Sequence, residues 1–247
     1  MTYVAHSETY IHPGHPWHDG PLTGFDTETT GVNVVHDRIV TAAIVERIDQ
    51  ETTTVHDWLI NPGVEIPDGA AQVHGITTEH AHAHGAEPAQ ALNEMADVLA
   101  RNISRGIPIV AFNVIFDLTI LDAELTRHQL PTVAQRSGRE ISRVLDPLVI
   151  DRGRDRYRRG KRTLAHLCEH YGVTQDGDLH SADVDVAATL AVLHAQCEKY
   201  PDLKDQTLDD IHAWQVTAHR TWAESFREFL RSKGRPFESV ELQWPVR

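Results

Sequence analysis

The stretch Gly24-Phe25-Asp26-Thr27-Glu28-Thr29-Thr30-Gly31 decides how this chain is read. Together with the preceding Leu22 and Thr23 it has the composition of a β-strand that runs into a polar turn. Side chains alternate between faces along a strand, so Asp26 and Glu28 project from the same face. Two neighbouring carboxylates repel each other and are costly without a compensating cation. Hard oxygen donors of this kind suit Mg²⁺ or Mn²⁺. A solvated strand edge can carry the same two acids, but the apolar start of the segment and its Thr-Thr-Gly end favour a built site.

Outward from this segment, 38–48 (RIVTAAIVERI) reads as a second strand and 52–60 (TTTVHDWLI) as a third, stopped by Asn61-Pro62-Gly63. The spacing predicts an antiparallel meander. Helical periodicity follows: Ala91, Leu92, Met95, Val98 and Leu99 recur at i, i+3, i+4 and i+7 after Pro88. Residues 107–112 form a short apolar strand, followed by a helix with Phe116, Leu118, Leu121 and Leu125 inward. Residues 143–151 read as another strand, interrupted by Pro147. Further helices are expected from Leu164 to about Gly172, over 182–200, and over 204–233 with Leu208, Ile211, Trp214, Trp222, Phe226 and Leu230. Strands first, then alternating helices and strands, predict an α/β domain with a mixed sheet. Residues 1–20, rich in His and Pro, are expected to be an N-terminal extension, a tail or flap.

The 247 residues carry 23 Lys+Arg against 36 Asp+Glu, a net charge of −13 with His neutral. With 40% hydrophobic residues and 15 glycines, the chain can bury a core and is not of disordered composition. Its two cysteines, Cys168 and Cys197, exclude a disulfide framework and point to a reducing compartment, hence a cytoplasmic protein. No apolar run reaches the roughly 18 residues that span a bilayer, and the N-terminus lacks the pattern of a signal peptide. Net charge alone votes against nucleic acid as a partner. The basic run between Arg152 and Arg162 runs counter to that vote. It reads either as phosphate-contacting or as a basic face paired with Asp151 and Asp155.

Two further segments carry carboxylates. Asp117, in Asn113-Val114-Ile115-Phe116-Asp117, falls in the first turn of a helix just past an apolar strand. An acid there also complements the helix dipole. In His180-Ser181-Ala182-Asp183-Val184-Asp185, Asp185 falls among apolar helix positions and needs a partner or a metal, while Asp183 reads as a helix N-terminal acid.

In order, Asp26, Glu28, Asp117, His180 and Asp185 resemble the DEDDh subgroup of the DnaQ-like 3′→5′ exonucleases, which includes the proofreading subunit of bacterial DNA polymerase III. Val73-His74-Gly75-Ile76-Thr77 is similar to the family's HGI(T/S) element, and the segment 164–172 to the one that precedes its last motif. The resemblance covers roughly 21–198, leaving 199–247 as a C-terminal helical extension. It implies an RNase H-like fold: a five-stranded mixed sheet, second strand antiparallel, flanked by helices. It implies two divalent ions, Mg²⁺ or Mn²⁺, held by Asp26, Glu28, Asp117 and Asp185, with His180 as general base. The implied reaction releases nucleoside 5′-monophosphates from the 3′ end of DNA, single-stranded DNA first. Thr27, His74, Gly75, Ile76, Asn113 and Phe116 are the implied substrate contacts, although ordinary packing also accounts for Phe116. Replication or repair proteins are the implied protein partners, and no membrane is. The same motifs serve an exoribonuclease equally well, and a non-catalytic nucleic-acid-binding module is the rival from another class.

Overall fold

The computed structural model describes residues 17–49, 52–174 and 181–246. In chain order the elements are β1 (Leu22–Thr29), β2 (Ile39–Arg47), β3 (Thr53–Leu59), α1 (Asp68–His74), α2 (Thr78–His84), α3 (Pro88–Ser104), β4 (Ile109–Val110), α4 (Val114–Arg127), α5 (Val133–Ser137), β5 (Val144–Leu145), α6 (Pro147–Arg154), α7 (Leu164–Tyr171), α8 (Ala182–Lys199) and α9 (Leu208–Ser232). The strands form one sheet in the order β3-β2-β1-β4-β5. β2 runs antiparallel to both β1 and β3, while β1, β4 and β5 are parallel. This is the mixed five-stranded sheet with an antiparallel second strand that the motifs implied. Among the described residues, no helix is long and apolar enough to cross a membrane.

The two faces of β1 are covered by different layers. Phe25 packs into the main core with Leu92, Met95 and Leu99 of α3 and Leu118 and Leu121 of α4. On the other face, Val186 of α8 packs with Ala43 and Val45 of β2. Gly24 sits under α8 so closely that a β-carbon there would lie 2.3 Å from Val186 Cγ1. Only glycine lets α8 come down onto the strand at this point.

Residues 143–151 are not one strand. β5 is two residues long, and Pro147 opens α6 as its first residue, with the Asp146 carboxylate accepting a hydrogen bond from Leu148 N at 2.9 Å. Proline is suited to this position because the first helical N–H has no intrahelical partner. α1, α2 and α5 were not expected from periodicity; α1 buries no residue at all.

The C-terminal helix closes the sheet. α9 covers the free edge of β5: Gln215 donates from Nε2 to the Val144 carbonyl (2.8 Å) and accepts from Asp146 N (2.8 Å). Val144 N in turn donates to His212 Nδ1 at 3.3 Å. Side chains thus stand in for a sixth strand and satisfy an edge that would otherwise present unpaired backbone groups. The buried stripe of α9 is Leu208, Ile211, Gln215, His219, Ala223 and Leu230. Trp222 and Phe226 lie beside this stripe rather than on it. Trp17 is buried, with its indole N–H donating to the Leu203 carbonyl at 3.2 Å.

A carboxylate cluster between one strand and two helices

In open sheets with parallel strands, ligands gather beyond the strands' C-terminal ends. Here the acids come from the C-terminal half of β1 and from the first turns of α4 and α8. One oxygen each from Asp26, Glu28 and Asp185 lie within 4.8 Å of one another. The first two come from alternate positions of β1, and the third from the first turn of α8, which Gly24 admits to the strand.

Asp117 reaches the same region from the other layer. It is 3% exposed in the first turn of α4. One of its oxygens accepts from Thr27 N at 3.0 Å and from the Thr27 hydroxyl at 2.7 Å. Both donors of Thr27 are therefore committed to positioning Asp117.

The electrostatics follow from this crowding. Burial first, then Asp117, Asp185 and Glu28, hold the Asp26 pKa well above the usual carboxylate range. Burial and the neighbouring Asp185 push Glu28 up to about 7. Burial also raises Asp117, opposed by its bonds from Thr27 and reinforced by Asp146. Like charges forced together in this way favour protonation unless a cation intervenes. An all-oxygen, partly buried donor set is the chemistry that Mg²⁺ or Mn²⁺ requires. The residues therefore fit divalent ions.

Asp146 is a buried carboxylate the sequence reading passed over. Besides capping α6, its two oxygens accept from Asn113 N and Val114 N, each at 3.1 Å. It fastens the start of α4, and so Asp117, to the end of β5. The Asp-Pro pair at 146–147, an N-cap acid before a first-turn proline, was the available signal.

The remaining expected site residues divide. His74 ends α1 and Gly75 takes the left-handed cap conformation (φ 77°) that favours glycine. His74 and Ile76 line a groove of about 360 Å³ together with Thr41, Ala42, Ala43 and the start of α8 at Ser181–Asp183. Thr41 and Ala43 are the β2 partners of Glu28 and Asp26, so this groove adjoins the carboxylates. Burial lowers the His74 pKa. Asn113 is exposed and left-handed (φ 62°), a conformation asparagine tolerates better than most residues. Phe116 packs partly buried against the main core. Asp183 is exposed and accepts a hydrogen bond from the Ser181 hydroxyl. His180 lies outside the described residues.

A mixed sheet with acids at the ends of its parallel strands defines the RNase H-like class of metal-dependent nucleases. The family model described as Exonuclease (RNase T) matches residues 23–193. The chain belongs to this family, the DnaQ-like 3′→5′ exonucleases. It is 32% identical over 167 residues to the PolC-type DNA polymerase III of Streptococcus thermophilus (strain ATCC BAA-491 / LMD-9), covering 67% of this chain and 10% of the polymerase. It is 27% identical over 192 residues to the same polymerase of Streptococcus agalactiae serotype III (strain NEM316), 77% of this chain and 12% of the other. The chain thus spans about a tenth of the length of these relatives. The fold is shared with E. coli exonuclease I in complex with a dT13 oligonucleotide (TM-score 0.62, 21% identity, 75% of this chain and 43% of that one). It is shared likewise with a moderately thermophilic exonuclease I from Methylocaldum szegediense (TM-score 0.62, 23% identity, 86% and 45%).

Proposed function

We propose that this chain is a metal-dependent 3′→5′ exonuclease that shortens single-stranded DNA and releases nucleoside 5′-monophosphates. The observation that carries the reading is the convergence of Asp26, Glu28 and Asp185 within 4.8 Å, with Asp117 drawn into their electrostatic reach by Thr27. Two divalent ions bound there would supply Lewis-acid stabilisation of the scissile phosphate and lower the pKa of the attacking water.

The chain's own residues do the rest. Asp26, Glu28, Asp117 and Asp185 would hold the ions through their carboxylate oxygens. His180, whose imidazole titrates near neutral pH in its ordinary state, takes the proton of the attacking water. Thr27 keeps Asp117 in register. His74, Gly75 and Ile76 pack against the terminal sugar or base from the adjoining groove, and Asn113 and Phe116 border the start of α4, where the terminal nucleotide would sit. Partners in replication or repair fit the polymerase relatives, and a cytoplasmic setting fits a chain whose two cysteines are buried and form no disulfide.

The test is a time course on 5′-labelled single-stranded DNA and RNA of matched sequence. A ladder shortening from the 3′ end, abolished by EDTA, is expected, with DNA degraded faster. His180→Ala should lower kcat by about 10²–10⁴-fold, the range of a lost general base, and Asp26→Asn by at least as much. Oligonucleotides left intact in both Mg²⁺ and Mn²⁺ would overturn the proposal.

A further inference from the structure

A second groove, of about 520 Å³, lies between α9 and the last turn of α6 with the loop that follows it. Arg152, Arg156, Arg158 and Arg162 line one wall, and among the described residues no carboxylate lines it. Arg158 (2.9 Å) and Arg162 both bond one oxygen of Asp151, whose side chain is wholly buried behind them. Two guanidiniums on one carboxylate leave a surplus positive charge. The Nε of Arg158 is buried without a hydrogen-bond partner. Arg156 donates to a neutral group, the Ser225 hydroxyl, at 3.3 Å.

The opposite wall is aromatic. Trp222, Phe226 and Phe229 follow one another along α9 with ring centroids 5.3 and 6.3 Å apart and planes tilted by only 17° and 14°. The Arg152 guanidinium sits 3.6 Å over the Trp222 ring, and Phe229, at the far end, is 49% exposed. An arginine wall facing a ladder of rings is the combination that holds single-stranded nucleic acid, guanidiniums on the phosphates and rings against the bases. An acidic peptide would use the arginines and leave the rings idle.

One helix, α6, links the groove to the segment that carries Asp117. Asp146, the N-cap of α6, holds the first amides of α4; Arg152 comes six residues or about 9 Å further along the same helix, and Arg156, Arg158 and Arg162 follow in the loop beyond it. We propose that this groove carries the single strand upstream of the 3′ end that the carboxylate cluster binds. The strand's direction rests on the exonuclease reading; the groove's affinity for a single strand does not.

The test is fluorescence anisotropy in EDTA, with a trimer and a dodecamer of dT, on the full chain and on the double variant Arg156→Gln/Phe229→Ala. The wild type should bind the dodecamer more tightly than the trimer. The double variant should lose about tenfold on the dodecamer, as expected for one stacked base and one phosphate contact. Its slope of log Kd against log salt should fall by about 0.7. Equal dodecamer binding by variant and wild type would overturn the proposal. So would displacement of the dodecamer by a polyglutamate peptide at equal charge, which would assign the groove to an acidic protein segment. Both substituted positions are exposed; if the double variant loses the wild-type urea midpoint, Arg156→Glu alone replaces it. Cleavage in Mg²⁺ is read separately. Groove-dependent binding without cleavage would overturn the exonuclease reading and leave this one standing, and cleavage with unchanged variant binding the reverse.

Discussion

At the scale of single residues, the site stores unfavourable charge. Glu28 has a carboxylate pKa of 4.5 in its ordinary state and about 7 in the fold, raised by burial and by Asp185. A raised folded pKa means that the native state binds the proton more tightly than the unfolded chain does. Its contribution to stability is complete below 4.5 and is lost as pH rises through about 7. Asp26 and Asp117 are shifted in the same direction. The metal-free protein, in EDTA, should therefore show a melting temperature that falls between about pH 5 and pH 8. Glu28→Gln should flatten that fall, and Mn²⁺ at the upper end should reverse it by mass action. A melting temperature that rises over this window would contradict the account. Asp26 and Glu28 were legible because a strand's two-residue period leaves no freedom about which face they share. Asp146 was not, because its partners, Asn113 N and Val114 N, lie far away in sequence.

At the scale of elements, the site depends on how closely α8 approaches β1. Gly24→Ala sets a β-carbon 2.3 Å from Val186 Cγ1, so that either the Val186 side chain or the approach of α8 must yield. The strain should cost about 1–3 kcal/mol in thermal unfolding, the usual range for overpacking. It should also weaken Mn²⁺ binding, since Asp185 moves with α8 while Asp26 and Glu28 stay on β1. Unchanged metal affinity in a destabilised variant would separate packing from site geometry and count against this reading. β1 to β3, α3, α4, α7, α8 and α9 were readable because each carries either a β-branched or alternating strand pattern or a helical stripe over seven residues or more. The segment 143–151 was misread as a strand because its apolar run, Val144, Leu145, Leu148, Val149 and Ile150, suits a buried strand and a buried helix start equally. Asp146-Pro147 is what divides it. α1, α2 and α5 carry no such stripe, and their shape comes from caps: Thr77 on His80 N, Thr132 on Gln135 N, and Gly75 and Gly138 in left-handed conformation.

At the scale of the whole molecule, α9 works as part of the sheet. Gln215 is fully buried and supplies both a donor and an acceptor to the edge of β5. Gln215→Leu keeps the volume and strands the Val144 carbonyl and Asp146 N, at about 1–3 kcal/mol for each buried group left unpaired. A urea midpoint lowered by at least the smaller figure is expected; an unchanged midpoint would show that α9 is not the edge's partner. The sequence placed α9 as a helix, but not its contact face, because Gln215 and His219 read as polar positions whereas Trp214, Trp222 and Phe226 read as apolar ones. The buried amide wins because it satisfies backbone groups that no aromatic ring could. The basic run 152–162 was open between phosphate contact and internal pairing; Asp151 pairs with Arg158 and Arg162, and the same arginines line the aromatic-walled groove for which a single strand is proposed above.

We propose that the acids of β1 and of the first turns of α4 and α8 bind divalent ions as one site. The most direct measurement is a titration of the chain with Mn²⁺, followed by electron paramagnetic resonance of the free ion, for wild type, Asp26→Asn and Asp185→Asn. The account predicts two bound ions in the wild type and a loss of binding in both variants, although the substituted residues come from different elements. Retention of wild-type Mn²⁺ binding by either variant would contradict it.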